Sequence, residues 1–199
     1  MARALERDWS GALVSLKGAL ELEPAHADLW GEVALLSVAA GRHNDALAAV
    51  KALDALDPAP AVTSYIDARA LQARGRHQQA VVAFELALAG QEEPGARAIP
   101  AMRSGAAESL VRLYRYEEAE YLFLEEVKRF PNNARAWAGL ASLYEATARN
   151  DEAAAVLSEL VRQLPTAEAN DLAAGVWTAL GQPTRAAAAR TDARRLTAQ

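Results

Sequence analysis

Apolar residues along the chain fall into short stretches at helical spacing, and turn residues close each stretch. The stretches come in pairs. One pair spans residues 27–40, then Gly41, then a stretch from Asn44 or Asp45 to about residue 56. Gly41 suits the left-handed conformation that ends a helix, and Asn44 or Asp45 suits the cap of the next. Asp57-Pro58 closes the pair, because proline cannot continue a helix. The next pair covers 61–74, Gly75, then 78–89, and its turn Gly75-Arg76-His77 copies Gly41-Arg42-His43. Further pairs are predicted over 100–133 and 134–167. A less regular one follows at 168–180 and 184–197, with Pro183 or Thr184 at the helix start.

Three ladders share one period. Alanine recurs at Ala12, Ala46, Ala80, Ala119, Ala153 and Ala187, in steps of 34, 34, 39, 34 and 34. Pro24, Pro58, Pro131 and Pro165 run in phase, as do Leu16, Val50, Phe84, Phe123 and Leu157. A common period with a common interruption defines a repeat array, in which each unit buries its core only against its neighbours. The small residues mark helix crossings; Trp30, Trp137, Tyr144, Phe84 and Phe123 fill the space between pairs.

The long step lies within residues 89–100, where two glycines and two prolines argue for a loop. Residues 1–7 are too short for a full helix, while 10–23 form a clear second helix. The expected organisation is a partial first repeat at 1–24, two regular units at 25–92, and an insertion loop at 93–99. Two further regular units follow at 100–167, then a degenerate capping pair at 168–199.

Residues 134–165 read Trp137-x-x-Leu140-Ala141-x-x-Tyr144, then Ala153, Leu157 and Pro165. This resembles the tetratricopeptide repeat. Trp30, Val33, Ala34, Ala46, Val50 and Pro58 form a second copy. Ala68, Gly75, Ala80, Phe84 and Ala87 form a third, and Ala107, Leu110, Ala119, Phe123 and Pro131 a fourth. The resemblance implies an all-α fold, a right-handed α-solenoid of antiparallel helix pairs. It also implies a concave groove, lined by the first helix of each pair, that holds a peptide or helix. The groove-facing residues would be Asp28, Leu35, Val62, Tyr65, Arg69 and Gln72, then Ser104, Glu108, Arg135, Ser142 and Glu145. Tyr65 with Arg69 forms the expected anchor pair, since aromatic and arginine side chains dominate binding hot spots. Lys17, Lys51 and Lys128 all fall on second helices, which argues against a clamp for acidic C-terminal tails.

Composition narrows the function. The net charge is −5 and no dense basic stripe occurs, which disfavours nucleic acid. Arg185, Arg190, Arg194 and Arg195 cluster where they complement the last helix's dipole. No apolar run spans a membrane, no signal-peptide core opens the chain, and cysteine is absent; the expected location is cytoplasmic. His43 and His77, one period apart, read as turn residues rather than metal ligands. Glu117-Glu118 would open a helix, and Glu125-Glu126 would form a solvated face. No catalytic motif is present, so no enzyme, cofactor or metal site is expected. The expected role is a non-catalytic scaffold or adaptor for a protein or peptide partner. The alternative is a structural subunit, joining a larger or homo-oligomeric complex through its edges, the N-terminal one included, and its convex face, or the helper region of a larger multidomain protein.

Overall fold

The computed structural model describes residues 9–56, 60–91 and 99–198, and the described residues form helices and no strand. The order is α1 (Trp9–Leu22), α2 (Ala27–Ala39), α3 (His43–Leu56), α4 (Pro60–Ala73), α5 (His77–Gln91) and α6 (Met102–Arg112). It continues with α7 (Tyr116–Arg129), α8 (Ala134–Ala146), α9 (Asn150–Gln163), α10 (Ala167–Ala179) and α11 (Pro183–Thr197). The chain divides into two compact units, Met1–Met102 and Arg103–Gln199.

In unit 1, α2 packs on α3 and α4 on α5; α1 and α4 also flank α2. In unit 2, α8 packs on α9 and α10 on α11, with α7 and α10 flanking α8. First helices of successive pairs are therefore neighbours in each unit. The close crossings fall on small residues. Ala34, Ala68, Ala107 and Ala141 are fully buried, as are Ala46, Ala80, Ala119 and Ala153, while Phe84 and Phe123 fill the space beside them. Gly90 belongs to the same set: a Cβ there would lie 2.9 Å from Ala61 Cβ, so α4 and α5 touch backbone to backbone.

The alanine ladder holds at its four inner rungs and departs at both ends. Ala12 is half-buried, and Ala187 is exposed while Ala186 is buried in its place. The slip arises in the linker before α10. Leu164-Pro165-Thr166 spans the gap that Phe130-Pro131-Asn132-Asn133 spans before α8, one residue shorter.

Each pair turns through the same hydrogen-bonded closure, illustrated by Gly41 N–H donating to Val38 and Arg42 N–H to Ser37. The residue in left-handed conformation is Gly41, Gly75 or Gly181 in three turns, but Tyr114 (φ 60°) and Ala148 (φ 59°) in the others. Side chains resist that conformation by about 1–2 kcal/mol, partly offset by glycine's extra freedom when unfolded. Ala148→Gly and Tyr114→Gly are each expected to raise stability by up to about 1 kcal/mol in chemical denaturation.

Several expectations need correction. α3 begins at His43, so Asn44 and Asp45 lie in its first turn rather than capping it. His43 and His77 are likewise the first helical residues. α5 continues to Gln91, so the start of the expected loop is helix, and the buried Gln91 side chain donates to the Ile99 carbonyl at 3.1 Å. The rest of the insertion, residues 92–98, and the opening segment 1–8 lie outside the described residues.

Candidate partner-binding faces

In unit 1, Leu35 lies on α2 and Val62, Arg69 and Gln72 on the adjacent α4, all half-buried. Tyr65 is different. It is only 7% exposed, and its ring meets the Phe84 ring at 6.1 Å between centroids, tilted by 56°. The ring is committed to the unit's core, which corrects its expected place as an exposed anchor beside Arg69. The Asp28 side chain lies outside the described residues.

In unit 2, α6 carries Glu108 exposed and Ser104 buried, so Ser104 faces the core, not a groove. On α8, Arg135 and Ser142 are exposed and Glu145 is half-buried. Arg135 Nε lies 3.3 Å from Glu168 Oε1 and ties the first turn of α8 to that of α10.

Both units repeat one indole contact. Trp30 Nε1 donates to the Pro24 carbonyl at 2.9 Å and Trp137 Nε1 to the Pro131 carbonyl at 3.0 Å. The bulky ring thus pins the proline that closes the preceding pair. A fourth ladder, Arg42, Arg76, Arg115 and Arg149, stands at the start of second helices. Arg42 pairs with Asp45, Arg115 with Glu118 and Arg149 with Glu152, each three residues on, while the residue at that spacing from Arg76 is Gln79.

Arg149 does more than its counterparts. It reaches Glu120 of α7 at 2.5 and 3.0 Å while stacking 4.2 Å over the Tyr144 ring. Tyr144 Oη donates to Glu120 at 2.9 Å. The Arg149 guanidinium holds Glu120 and Glu152 below the usual carboxylate range, and Arg115 does the same to Glu118. Arg162 and Gln163 lower Glu159 to about 2. Burial, with the Glu120 carboxylate it donates to, pushes the Tyr144 phenol up to about 12.

Groups lowered on folding stabilise the fold above their unfolded value, near 4.3, and lose that contribution as pH falls through the folded value. In unit 1, burial and the Asp54 charge raise Asp67 instead, which favours its protonated form. Unit 2 is therefore expected to lose stability between about pH 4.5 and 2, and Arg149→Gln to flatten that dependence. Melting curves across this range check both.

Glu126 also departs from expectation. It is fully buried, and Asn133 Nδ2 donates to its Oε1 at 2.9 Å while Asn133 Oδ1 accepts from Ala136 N–H at 3.3 Å. The carboxylate thus fixes the residue that caps α8, rather than lying on a solvated face. Glu125 is half-buried and faces Lys128 at 3.7 Å. Glu117 and Glu118 occupy the first turn of α7 as expected. Arg194 and Arg195 sit in the last turn of α11, Arg195 beside Asp192 at 2.9 Å, and Arg190 donates to Thr178.

Unit 1 holds one feature without a sequence signal. A cavity of about 380 Å³ opens between α1, α2 and α3, lined by the apolar Leu20, Trp30, Val33, Ala48 and Ala49 and by the charged Lys17, Glu21 and Asp45. Among the described residues, no group of three or more His, Asp or Glu is placed to hold a metal ion, and no helix is long and apolar enough to cross a membrane.

Comparison with known proteins agrees with the helix-pair geometry. The family model described as tetratricopeptide repeat matches residues 4–66 and 110–176, more than half of the chain. No curated protein sequence matches. A thermophilic TPR protein of Thermus thermophilus superposes with a TM-score of 0.69 at 18% identity, covering 87% of this chain and 93% of that one. A tetratricopeptide repeat protein of Parabacteroides merdae superposes with a TM-score of 0.66 at 22% identity, covering 94% and 72%. YrrB, described as a TPR protein with an unusual peptide-binding site, gives 0.53 at 20% identity, covering 91% of each chain. With the repeat register, the crossings and the pair closures in place, the chain belongs to the tetratricopeptide repeat family.

Proposed function

We propose that this protein is a non-catalytic interaction scaffold that binds a peptide or helix of a protein partner along its first helices. The supporting observation is the pairing of α2 with α4 in unit 1. These adjacent helices carry two half-buried apolar side chains, Leu35 and Val62, and two half-buried polar ones, Arg69 and Gln72. Apolar recesses with a few polar groups suit an extended or helical peptide, the former groups supplying affinity and the latter orientation. A peptide-binding site named for one solved relative of the fold, YrrB, is consistent with the reading. In unit 2, taken by itself, Glu108 on α6 and Arg135 and Glu145 on α8 are the more polar candidates of the same kind. A cytoplasmic setting, with no nucleic acid and no membrane insertion, belongs to the same reading.

The direct test is capture of partners from the source cell with wild type and with Arg69→Glu/Leu35→Asp. Tyr65 is a poor choice for substitution because its ring is core. Recovery is expected to fall at least about tenfold, as for loss of an interface anchor, with the melting temperature little changed. Equal recovery from a folded variant would remove α2 and α4 from the binding face.

A further inference from the structure

The junction between α3 and α4 departs from the array's own pattern. Where a second helix meets the first helix of the next pair, matching repeat positions on both sides are apolar. On the second helix the position lies eight residues after the ladder alanine; on the first helix it directly precedes the buried alanine of the crossing. These positions hold Leu20 and Val33 for α1 and α2, Val127 and Leu140 for α7 and α8, and Val161 and Ala173 for α9 and α10. Val161 is half-buried and the other five are buried. At α3 and α4 the same positions hold Asp54 and Asp67, and both are exposed. Ser64 stands where Trp30 and Trp137 stand, and supplies neither an indole ring nor its N–H. Three apolar places at one junction, on two different helices, have thus become polar.

What these residues put across the junction is weaker than what they replace, and partly repulsive. Thr63 Oγ1 of α4 donates to Asp54 Oδ1 of α3 at 2.7 Å, an exposed hydrogen bond that holds one carboxylate over the junction. Burial, and after it the Asp54 charge, push the Asp67 carboxyl above its usual value, so the two carboxylates act on each other. One solvated hydrogen bond contributes less than the burial of a leucine, a valine and a tryptophan ring. The rest of α4 is packed normally. Ile66 and Ala68 are fully buried, and α4 packs on α5 and on α2. The helix is therefore well held toward α2 and α5 and weakly held toward the end of α3.

We infer that the α3–α4 junction is a joint within unit 1, at which α1–α3 and α4–α5 move as two blocks, kept loose by the carboxylate pair Asp54 and Asp67. An apolar junction fixes the angle between successive pairs, because a close-packed interior resists deformation. A polar, hydrated junction opens at little cost. Opening pivots on the contact between α2 and α4, and so changes the angle between the two helices that the peptide-binding reading uses. The joint lets that face adjust its curvature to what it binds; this use of the joint rests on the peptide-binding reading, while the joint itself does not. Positions that break a local rule on both sides of one contact are expected where function rather than stability decides the residue.

The test is hydrogen–deuterium exchange of the free full chain at neutral pH. It is read at residues 50–56 and 61–68, and at the matching residues 123–129 and 134–141 of the α7–α8 junction. After correction for intrinsic rates, the α3–α4 segments are expected to exchange at least about tenfold faster. Asp54→Asn and Asp67→Asn should each slow them several-fold, since asparagine removes a charge from the pair and at position 54 keeps an acceptor for Thr63. The two effects should not add, because either substitution alone abolishes the repulsion. Asp54→Val/Asp67→Leu, which installs the residues of the α7–α8 junction, should slow exchange at least about tenfold. Wild-type protection equal to that of the α7–α8 segments would overturn the inference. So would exchange that neither asparagine variant changes, since the charge pair would then not loosen the joint. No partner enters the measurement, so the joint and the peptide-binding reading can each fail alone.

Discussion

Phe84→Ala is expected to cost unit 1 about 3–5 kcal/mol, the range for truncating a fully buried aromatic ring. Phe84 is 0% exposed and lies where α4 and α5 pack. Both helices are pinned at small contacts, Gly90 against Ala61 among them, so they cannot close over the vacated space. Removing the ring also strips the Tyr65 ring of its partner at 6.1 Å. Chemical denaturation followed by tryptophan fluorescence, with Trp137 and Trp177 of unit 2 replaced by phenylalanine, reads unit 1. Exposed Val82→Ala on the same helix should change stability by well under about 0.5 kcal/mol. Comparable losses for the two would mean that α5 does not carry the core through Phe84.

Gly139→Ala has the second largest expected effect, and its sign opposes simple helix propensity. Alanine within a helix normally gains about 1 kcal/mol over glycine. At Gly139, however, a Cβ would lie 2.5 Å from Phe123 Cε1 and 2.7 Å from Cζ. Phe123 is 1% exposed, and rings in protein interiors are close-packed, so displacing this one disturbs its neighbours. A net loss of about 1–3 kcal/mol is expected, the usual cost of overpacking. Gly175→Ala on α10 should do the reverse, since nothing lies within 4 Å of its Cβ position, with a gain of about 0.5–1 kcal/mol. Adding Phe123→Leu to Gly139→Ala should recover part of the loss, a coupling of about 1 kcal/mol between neighbours. A stabilising Gly139→Ala would show that α7 and α8 do not approach through these two residues.

The helix pairs were legible because they rest on short-range signals: apolar spacing, glycine and proline punctuation, and small residues at crossings. The period then carried those signals from one pair to the next. What escaped were features set by contacts between helices. Tyr65 looks like a surface aromatic beside Arg69 until Phe84, nineteen residues on, takes up its ring. Glu126 looks like half of a solvated pair until Asn133 folds back onto it. Tyr114 and Ala148 carry no letter that announces a left-handed turn, because pair closure imposes that geometry on whatever residue stands there. The arginine ladder at the second-helix starts was present in the letters. Its meaning needed the acid three residues on, and at Arg149 also the distant Glu120. The candidate groove inherits this limit: the family resemblance selects helices, but burial decides which side chains on them are available.

The central claim is that a protein partner is held by first helices, α2 and α4 in unit 1. Hydrogen–deuterium exchange on the chain, alone and with a partner recovered from the source cell, tests it most directly. Bound partner should slow exchange across α2 and α4, at residues 29–36 and 62–72, with the unit 1 outer face on α1, α3 and α5 unchanged. Protection confined to those second helices, with α2 and α4 exchanging as in the free protein, would contradict it.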